Sequence, residues 1–393
     1  MTSDTTTSTT VSREPGLFFP GLVGVIAAKT RLSEVDGTAG RLIIAGYPVE
    51  EFATFATFEE VIYLLWKDAL PTSSQLSNFR AALAAEQKLA PVTIEVLKAA
   101  AAQEIAPMTA LRMAAGTLDL RQAQGKTEDG IPLENIAVMA RFPIIVATYW
   151  RLLNEQAVIE PRADLSVTAN YLYMISGEVP SAERTRGLDT YLSCVVDHGL
   201  NASTFTARVI TSTGSDLISA LVGAIGALKG PLHGGAPGPA LDMVFEIGDA
   251  NRAEAYLRAK LDRHERLMGF GHRIYRVRDP RVEVLSAAAK RLYEQDGDMR
   301  LYNLTGEVEK VAIRLLMEYY PQRSLKTNVE FYTALLLHGL GMPQELFTPT
   351  FAVSRAAGWI AHCQEQRLDS RIIRPESEYI GPRDRRWVSI ESR

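Results

Sequence analysis

With 393 residues, 47% of them apolar and 22% charged, the chain has the composition of a soluble globular protein and enough apolar matter for one large domain or two. Its 42 basic residues against 46 acidic ones leave a net charge of -4, which excludes bulk attraction to nucleic acid or to an anionic membrane but leaves room for a local anion site. Two cysteines, Cys194 and Cys363, with no CxxC pairing and no close histidine spacing, support neither a disulfide scaffold nor a structural zinc site and fit a reducing cytoplasm.

The opening MTSDTTTSTTVSREPG is polar and rich in Ser and Thr, and it predicts a flexible tail over residues 1–15. GLFFPGLVGVIAA follows, broken by Pro20 and three glycines and too short to span a bilayer, so neither a signal peptide nor a transmembrane helix is predicted and the expected location is cytoplasmic. Between residues 22 and 50, short β-branched runs alternate with DG and GYP turn signals, the pattern of small hairpins. From Phe55 onward apolar residues recur three and four apart, in VIYLLW, in LSNFRAALAAEQKLA and in IAVMARFPIIVATYWRLL, which places them on helical faces. Breakers at Pro71, Pro91, Pro107, Gly130, Pro132, Gly177, Pro180, Gly214 and Gly230–Gly238 divide the chain into a dozen or more helices with short connections. The expected class is therefore all-α, with short N-terminal hairpins and no internal repeat.

Four stretches carry groups suited to chemistry. DHGLNASTFTARVI gathers Asp197, His198, Asn201 and Ser203 at a helix start, where capping is the plainer role for a lone histidine. GPLHGGAPG encloses His233 in glycines that let the backbone turn tightly against a ligand, and an imidazole is an unusual choice for a mere hinge. MGFGHRIYRVRDPRVEVL sets His272 beside Arg273, Arg276, Arg278 and Arg281, more arginine than a solvated face needs and a good cradle for carboxylate or phosphate oxygens. TNVEFYTALLLHGLG places Glu330 in an otherwise apolar run, where poor solvation is expected to raise its pKa, while His338 reads as packing. Near the C-terminus Arg355, Arg367, Arg371 and Arg374 are spaced apart, and such arginines are usually solvated. Together these groups describe a metal-free acid/base site for a polyanionic substrate. HExxH, P-loop, GxSxG and strand-borne GxGxxG motifs are all missing from the sequence.

DHGLNASTFTARV, GSDLISALVGAIGALKGPLHGGA, MGFGHRIYRVRDPR, TNVEFY, SRAAGWIAH and RPESEYIGP, in that order, closely resemble the citrate synthase family, as does the opening GLVGVIAAKTRLSEVDGTAGRLIIAGYPVEE. The resemblance implies a multi-helical homodimer that condenses acetyl-CoA with oxaloacetate and hydrolyses the citryl thioester, with no cofactor beyond the coenzyme A thioester that is its substrate. It implies a large domain over 16–235 and 342–393, and a small domain over 236–341 that closes on the substrates. His233 would stabilise the enol at the thioester oxygen, and His272 would donate to the oxaloacetate carbonyl. His198, Arg281, Arg355 and Arg374 would bind carboxylates, Arg374 reaching in across the subunit interface, and Arg276 would meet the coenzyme A phosphates.

One position departs from the family pattern. The family's base is usually the aspartate of NVDFY, whereas this chain has NVEFY, with Glu330. One extra methylene moves a carboxylate by roughly 1.5 Å, and a misplacement of about 1 Å can cost on the order of 10²-fold in rate. Glu330 is expected to be a working base in a site adjusted to it. Two competitors stay open: an enzyme of the same fold that uses propionyl-CoA to make 2-methylcitrate, and a catalytically silent homologue that binds coenzyme A or a dicarboxylate. The related lyase acting on citryl-CoA is disfavoured, because the chain has no appended ligase-like domain and keeps the LHGGA histidine.

Overall fold

The computed structural model describes residues 18–234, 238–271, 275, 277–369 and 371–393. The predicted tail, His272 and Arg276 lie outside the described residues. Among the described residues, those up to 30 stand as one unit, with a 3-10 turn at Pro20–Leu22, and those from 31 onward as another.

In the second unit the strand-like region forms an antiparallel sheet of β1 (Ser33–Asp36), β2 (Arg41–Ile44) and β3 (Tyr47–Pro48), in the order β1-β2-β3. Ser33 stands opposite Ile44, and Ile43 opposite Pro48. The Asp36 carboxylate accepts from the Thr38 and Ala39 amides and so closes the first turn, while Gly46, at φ +87°, supplies the left-handed residue of the second.

Sixteen α-helices follow among the described residues. They are α1 (Val49–Phe52), α2 (Phe58–Lys67), α3 (Ser73–Ala85), α4 (Pro91–Ala101), α5 (Pro107–Ala115), α6 (Leu133–Leu153), α7 (Val167–Ser176) and α8 (Ala182–Val195). The remainder are α9 (Ala202–Ser212), α10 (Leu217–Leu228), α11 (Gly238–Ile247), α12 (Ala253–Asp262), α13 (Pro280–Asp296), α14 (Arg300–Tyr319), α15 (Val329–Gly339) and α16 (Phe347–Leu368). Their starts follow from local sequence. Thr57 and Thr72 build reciprocal capping boxes with Glu60 and Gln75, Pro91 and Pro107 occupy first helical positions, and Asn201, Asp216, Asp279 and Asn328 cap with their side chains. Gly177 ends α7 in the left-handed region, where no side chain is tolerated well.

Helix α6 is long and apolar enough to cross a bilayer by composition, but most of it is buried within the protein, and Arg141 at its middle pairs with Glu86 at 2.6 Å. Helix α16 is the axis of the core and packs on α2, α5, α6, α8, α9 and α10. Its small residues Ala352, Ala356, Ala357 and Gly358 let those neighbours approach. A Cβ at Gly358 would overlap the carbonyl oxygen of Val196 and stand 3.0 Å from an Asp197 carboxylate oxygen, both backed by a closely packed segment. Gly358→Ala is therefore expected to destabilise the fold by about 1–3 kcal/mol, measured by denaturant unfolding, because α16 must move away from the end of α8. Helix α13 packs on α15 and on α8, and α12 on α14.

Candidate active site

Three groups of side chains converge where α8, α9, α13, α15 and α16 meet. The first is built on the start of α9. Asn201 caps this helix, its Oδ1 accepting from the Thr204 amide at 3.1 Å and from the Ser203 hydroxyl at 2.8 Å. The Ser203 amide donates to His233 Nε2 at 3.3 Å, the Ser203 hydroxyl lies 2.8 Å from the same nitrogen, and Trp359 Nε1 of α16 donates to the Ser203 oxygen at 3.1 Å. Because Nε2 accepts a backbone N–H, the proton of the neutral ring belongs on Nδ1, which is thereby left as a donor. The turn carrying His233 is held by the His233 and Gly234 amides, both of which donate to the Gly230 carbonyl. Gly234 has to be glycine, since a Cβ there would collide with the backbone carbonyl of Leu228.

The second group is cationic. Arg281, 3% exposed at the start of α13, is gripped by Asp279 through Nε at 2.9 Å and Nη2 at 2.6 Å. Burial opposes the charge on Arg281, but this paired carboxylate holds the guanidinium above its ordinary value. Arg355, 2% exposed, spends its Nε on the Val195 carbonyl at 2.7 Å and lies with its guanidinium carbon 4.5 Å from the Phe351 ring centre. Burial pushes its pKa down to about 10, with Asp197 opposing and nearby Arg281 reinforcing the shift. Two buried guanidinium groups thus share a region in which Asp279 is committed to one of them. That is an electrostatic demand for an anion.

His198, 8% exposed, follows Asp197 at the end of α8 and meets the Tyr275 hydroxyl through Nε2 at 3.1 Å. Asp197 is fully buried. Burial acts to raise its carboxyl, yet His362, Arg355 and Ser33 together hold it below the usual range. Arg208 donates to His362 Nδ1 at 2.8 Å, so the other ring nitrogen, Nε2, is the donor to Asp197 at 3.2 Å. Ser33 donates to Asp197 in turn and accepts from the Gly199 amide at 2.8 Å, which ties the DHG turn to β1.

The third group is Glu330, the second residue of α15. Its amide donates to the capping Asn328 side chain at 3.0 Å, and Asn328 Nδ2 donates to the Gly271 carbonyl at 2.9 Å. Burial pushes the Glu330 carboxyl up to about 7, with Arg281 opposing. Tyr191, on the face of α8 one turn before Val195, is buried among these groups, and its hydroxyl has no partner among the described residues.

The structure therefore brings His198, His233, Arg281, Arg355 and Glu330 to neighbouring elements of one region. Arg374 is exposed in the single chain. Within the arginine cradle, Arg278 pairs with Glu283 at 2.7 Å and Glu309 at 3.3 Å, as Arg281 pairs with Asp279, while Arg273 and Arg276 lie outside the described residues. The expectation that the spaced C-terminal arginines are solvated fails at Arg355, because α16 is enclosed on all sides. His338 packs edge-on against Phe245, with ring centres 5.2 Å apart. Sequence inspection missed Trp359, Tyr275, His362 and Tyr191. A usable signal existed for Trp359 and His362, which fall four and seven residues after Arg355 and so share its helical face; Tyr275 and Tyr191 carried none. Among the described residues no group of three His, Cys, Asp or Glu side chains could hold a metal ion.

Compared with known proteins, the chain matches the family model described as "Citrate synthase, C-terminal domain" over residues 21–376. It is 40% identical over 380 residues to the citrate synthase of Haloferax volcanii, spanning 95% of this chain and 98% of that protein. It is 38% identical over 374 residues to the 2-methylcitrate synthase of Shewanella oneidensis, spanning 95% and 97%. Among solved structures, the citrate synthase of Pyrobaculum aerophilum superposes with a TM-score of 0.86 at 36% identity, over 100% of this chain and 99% of that one. The citrate synthase of Thermoplasma acidophilum, solved as a ternary complex with carboxymethyl coenzyme A and oxaloacetate, gives a TM-score of 0.84 at 28% identity, over 95% and 98%.

Proposed function

The chain belongs to the citrate synthase family, an enzyme family of the acyl-transferring type, and from that premise we propose that it condenses acetyl-CoA with oxaloacetate and hydrolyses the resulting citryl thioester to citrate and coenzyme A. The observation that carries this reading is the pairing of a poorly solvated carboxylate, Glu330, with two buried arginines of which only Arg281 has a carboxylate of its own.

The physical requirement is plain. A thioester methyl group is a very weak carbon acid, so its deprotonation needs a base and a donor already placed at the oxygen where charge develops. Glu330 takes the proton from the methyl carbon, and the Nδ1 proton of His233 stabilises the thioester oxygen as the enol forms. The nucleophilic carbon then attacks the oxaloacetate carbonyl, polarised by His272, and the new alkoxide is protonated there. Arg281, Arg355 and His198, with the partner subunit's Arg374, neutralise the two carboxylates, and Arg276 meets the coenzyme A phosphates. Residues 236–341 act as the small domain that closes over the substrates and excludes water until the carbon–carbon bond exists. The working enzyme is a cytoplasmic homodimer of central carbon metabolism that uses no cofactor beyond the thioester itself.

A second reading, 2-methylcitrate synthesis from propionyl-CoA, is favoured by the similarity to the Shewanella oneidensis relative. One methyl group in an apolar pocket is worth only about 1–3 kcal/mol, or roughly 10- to 200-fold. Release of free thiol, dependent on oxaloacetate, should be followed with acetyl-CoA and propionyl-CoA side by side. We expect kcat/KM to favour acetyl-CoA by about 10-fold or more. Preference for propionyl-CoA would install the second reading, and no thiol release from either would leave a silent binding homologue.

A further inference from the structure

Glu309 lies on α14, outside the set of groups assigned to chemistry, yet it is only 9% exposed and is the meeting point of three segments. Its Oε1 accepts from the Thr327 hydroxyl at 2.5 Å and from Arg278 Nη2 at 3.3 Å, and its Oε2 accepts from the Tyr332 hydroxyl at 2.6 Å. Thr327 and Tyr332 are themselves buried, at 1% and 4% exposure. They bracket Glu330: Thr327 precedes the first turn of α15, and Tyr332, two residues after Glu330, points from nearly the opposite side of the helix. Glu309 thus grips the back of the turn whose front carries Glu330.

The same turn is fastened to the glycine loop before His272. Phe270 bridges Thr327, the Gly271 amide donates to the Lys326 carbonyl at 2.7 Å, and the Asn328 amide donates to the Gly269 carbonyl at 2.9 Å. Gly269 faces the Phe331 side chain so closely that a Cβ would fall 2.7 Å from its ring. Through Arg278, Glu309 also holds the segment leading into Arg281. A buried carboxylate is weak evidence for stability, because its desolvation offsets much of what its partners contribute. Its contacts here instead fix the direction and depth of one helix start.

We propose that Glu309 is a positioning residue for Glu330, setting the place of the longer carboxylate by clamping Thr327 and Tyr332 behind it. This rests on the proposed condensation. Glu309→Gln keeps the size of the side chain but cannot accept from Thr327, Tyr332 and Arg278 alike. In the full-length protein it should lower kcat by roughly 10- to 100-fold, the cost of a misplacement of about 1 Å. KM for oxaloacetate should change far less than kcat, since Arg281, on the segment that Arg278 leads into, keeps its own two-point pair with Asp279, and Arg355 and His198 stand on other elements. Tyr332→Phe, which deletes one hydroxyl and leaves the Arg278 pair intact, should show a smaller loss of the same kind and guards against a Gln variant that fails to fold. In a Glu330→Gln background, adding Glu309→Gln should change the residual rate by less than about 2-fold, because there is no base left to misplace. A Glu309→Gln enzyme with wild-type kcat, or a loss that persists undiminished without Glu330, would overturn the positioning role alone. A wild-type chain that releases no thiol would overturn the functional reading, and this role with it.

Discussion

Glu330→Gln should cut oxaloacetate-dependent thiol release by on the order of 10²–10⁴-fold, the usual contribution of a positioned general base, while leaving oxaloacetate binding largely intact. It should also make the protein more stable at alkaline pH. Burial raises the Glu330 carboxyl from 4.5 to about 7, with Arg281 opposing, so the folded state holds a proton that the unfolded chain releases. The stabilisation from that bound proton is complete below pH 4.5, declines as pH rises and is gone above about 7, where a charged carboxylate sits in poorly solvating surroundings. Glutamine is neutral throughout. The gap in unfolding temperature between variant and wild type should therefore open between pH 5 and 7 and level off by pH 8, reaching roughly 2 °C or more. Wild-type kcat should rise over the same interval as the base ionises. Calorimetry at pH 5 and 8 and a kcat profile check both arms. Full activity in the variant would remove Glu330 from the mechanism.

Arg355→Met should raise KM for oxaloacetate by roughly 10²-fold or more, the scale of losing one partner from a desolvated charge pair. The reason is the imbalance around it: Arg281 is satisfied by Asp279, while Arg355 has a carbonyl, an aromatic face and the more distant Asp197, and its pKa is held down to about 10 by burial. A dicarboxylate supplies the missing charge, and methionine fills the volume without calling for it. Oxaloacetate should raise the unfolding temperature of the wild type through mass action on the folded state, and that increase should vanish in the variant. An unchanged KM would mean that the carboxylates are held elsewhere.

Much of this molecule was legible along the chain because the forces concerned are local. The three- and four-residue apolar spacing specified helices, Pro91 and Pro107 marked breaks between them, and the NAST stretch marked a helix start that carries Ser203. The DG and GYP signals marked the small sheet. Motif order carried the family, and with it the roles expected of His198, His233 and Arg281.

What sequence inspection misjudged depended on who covers whom. Arg355 looks like a surface arginine in SRAAGWIAH and is 2% exposed, because six helices close around α16. Ser203 looks like a cap, and only the approach of His233 and Trp359 from distant segments makes it the group that sets an imidazole tautomer. Glu309 was not singled out along the chain, and it becomes a buried meeting point only because Thr327 and Tyr332 fold onto it. Helical class, breaker positions, the hairpin turns and the family could be read along the chain, since these follow from interactions within about four residues and from the order of motifs. The apolar run around Glu330 indicated a raised pKa, but the size of that shift, the burial of Arg355 and the pairing of charges came from contacts between distant segments, because desolvation belongs to the surrounding atoms and not to the residue.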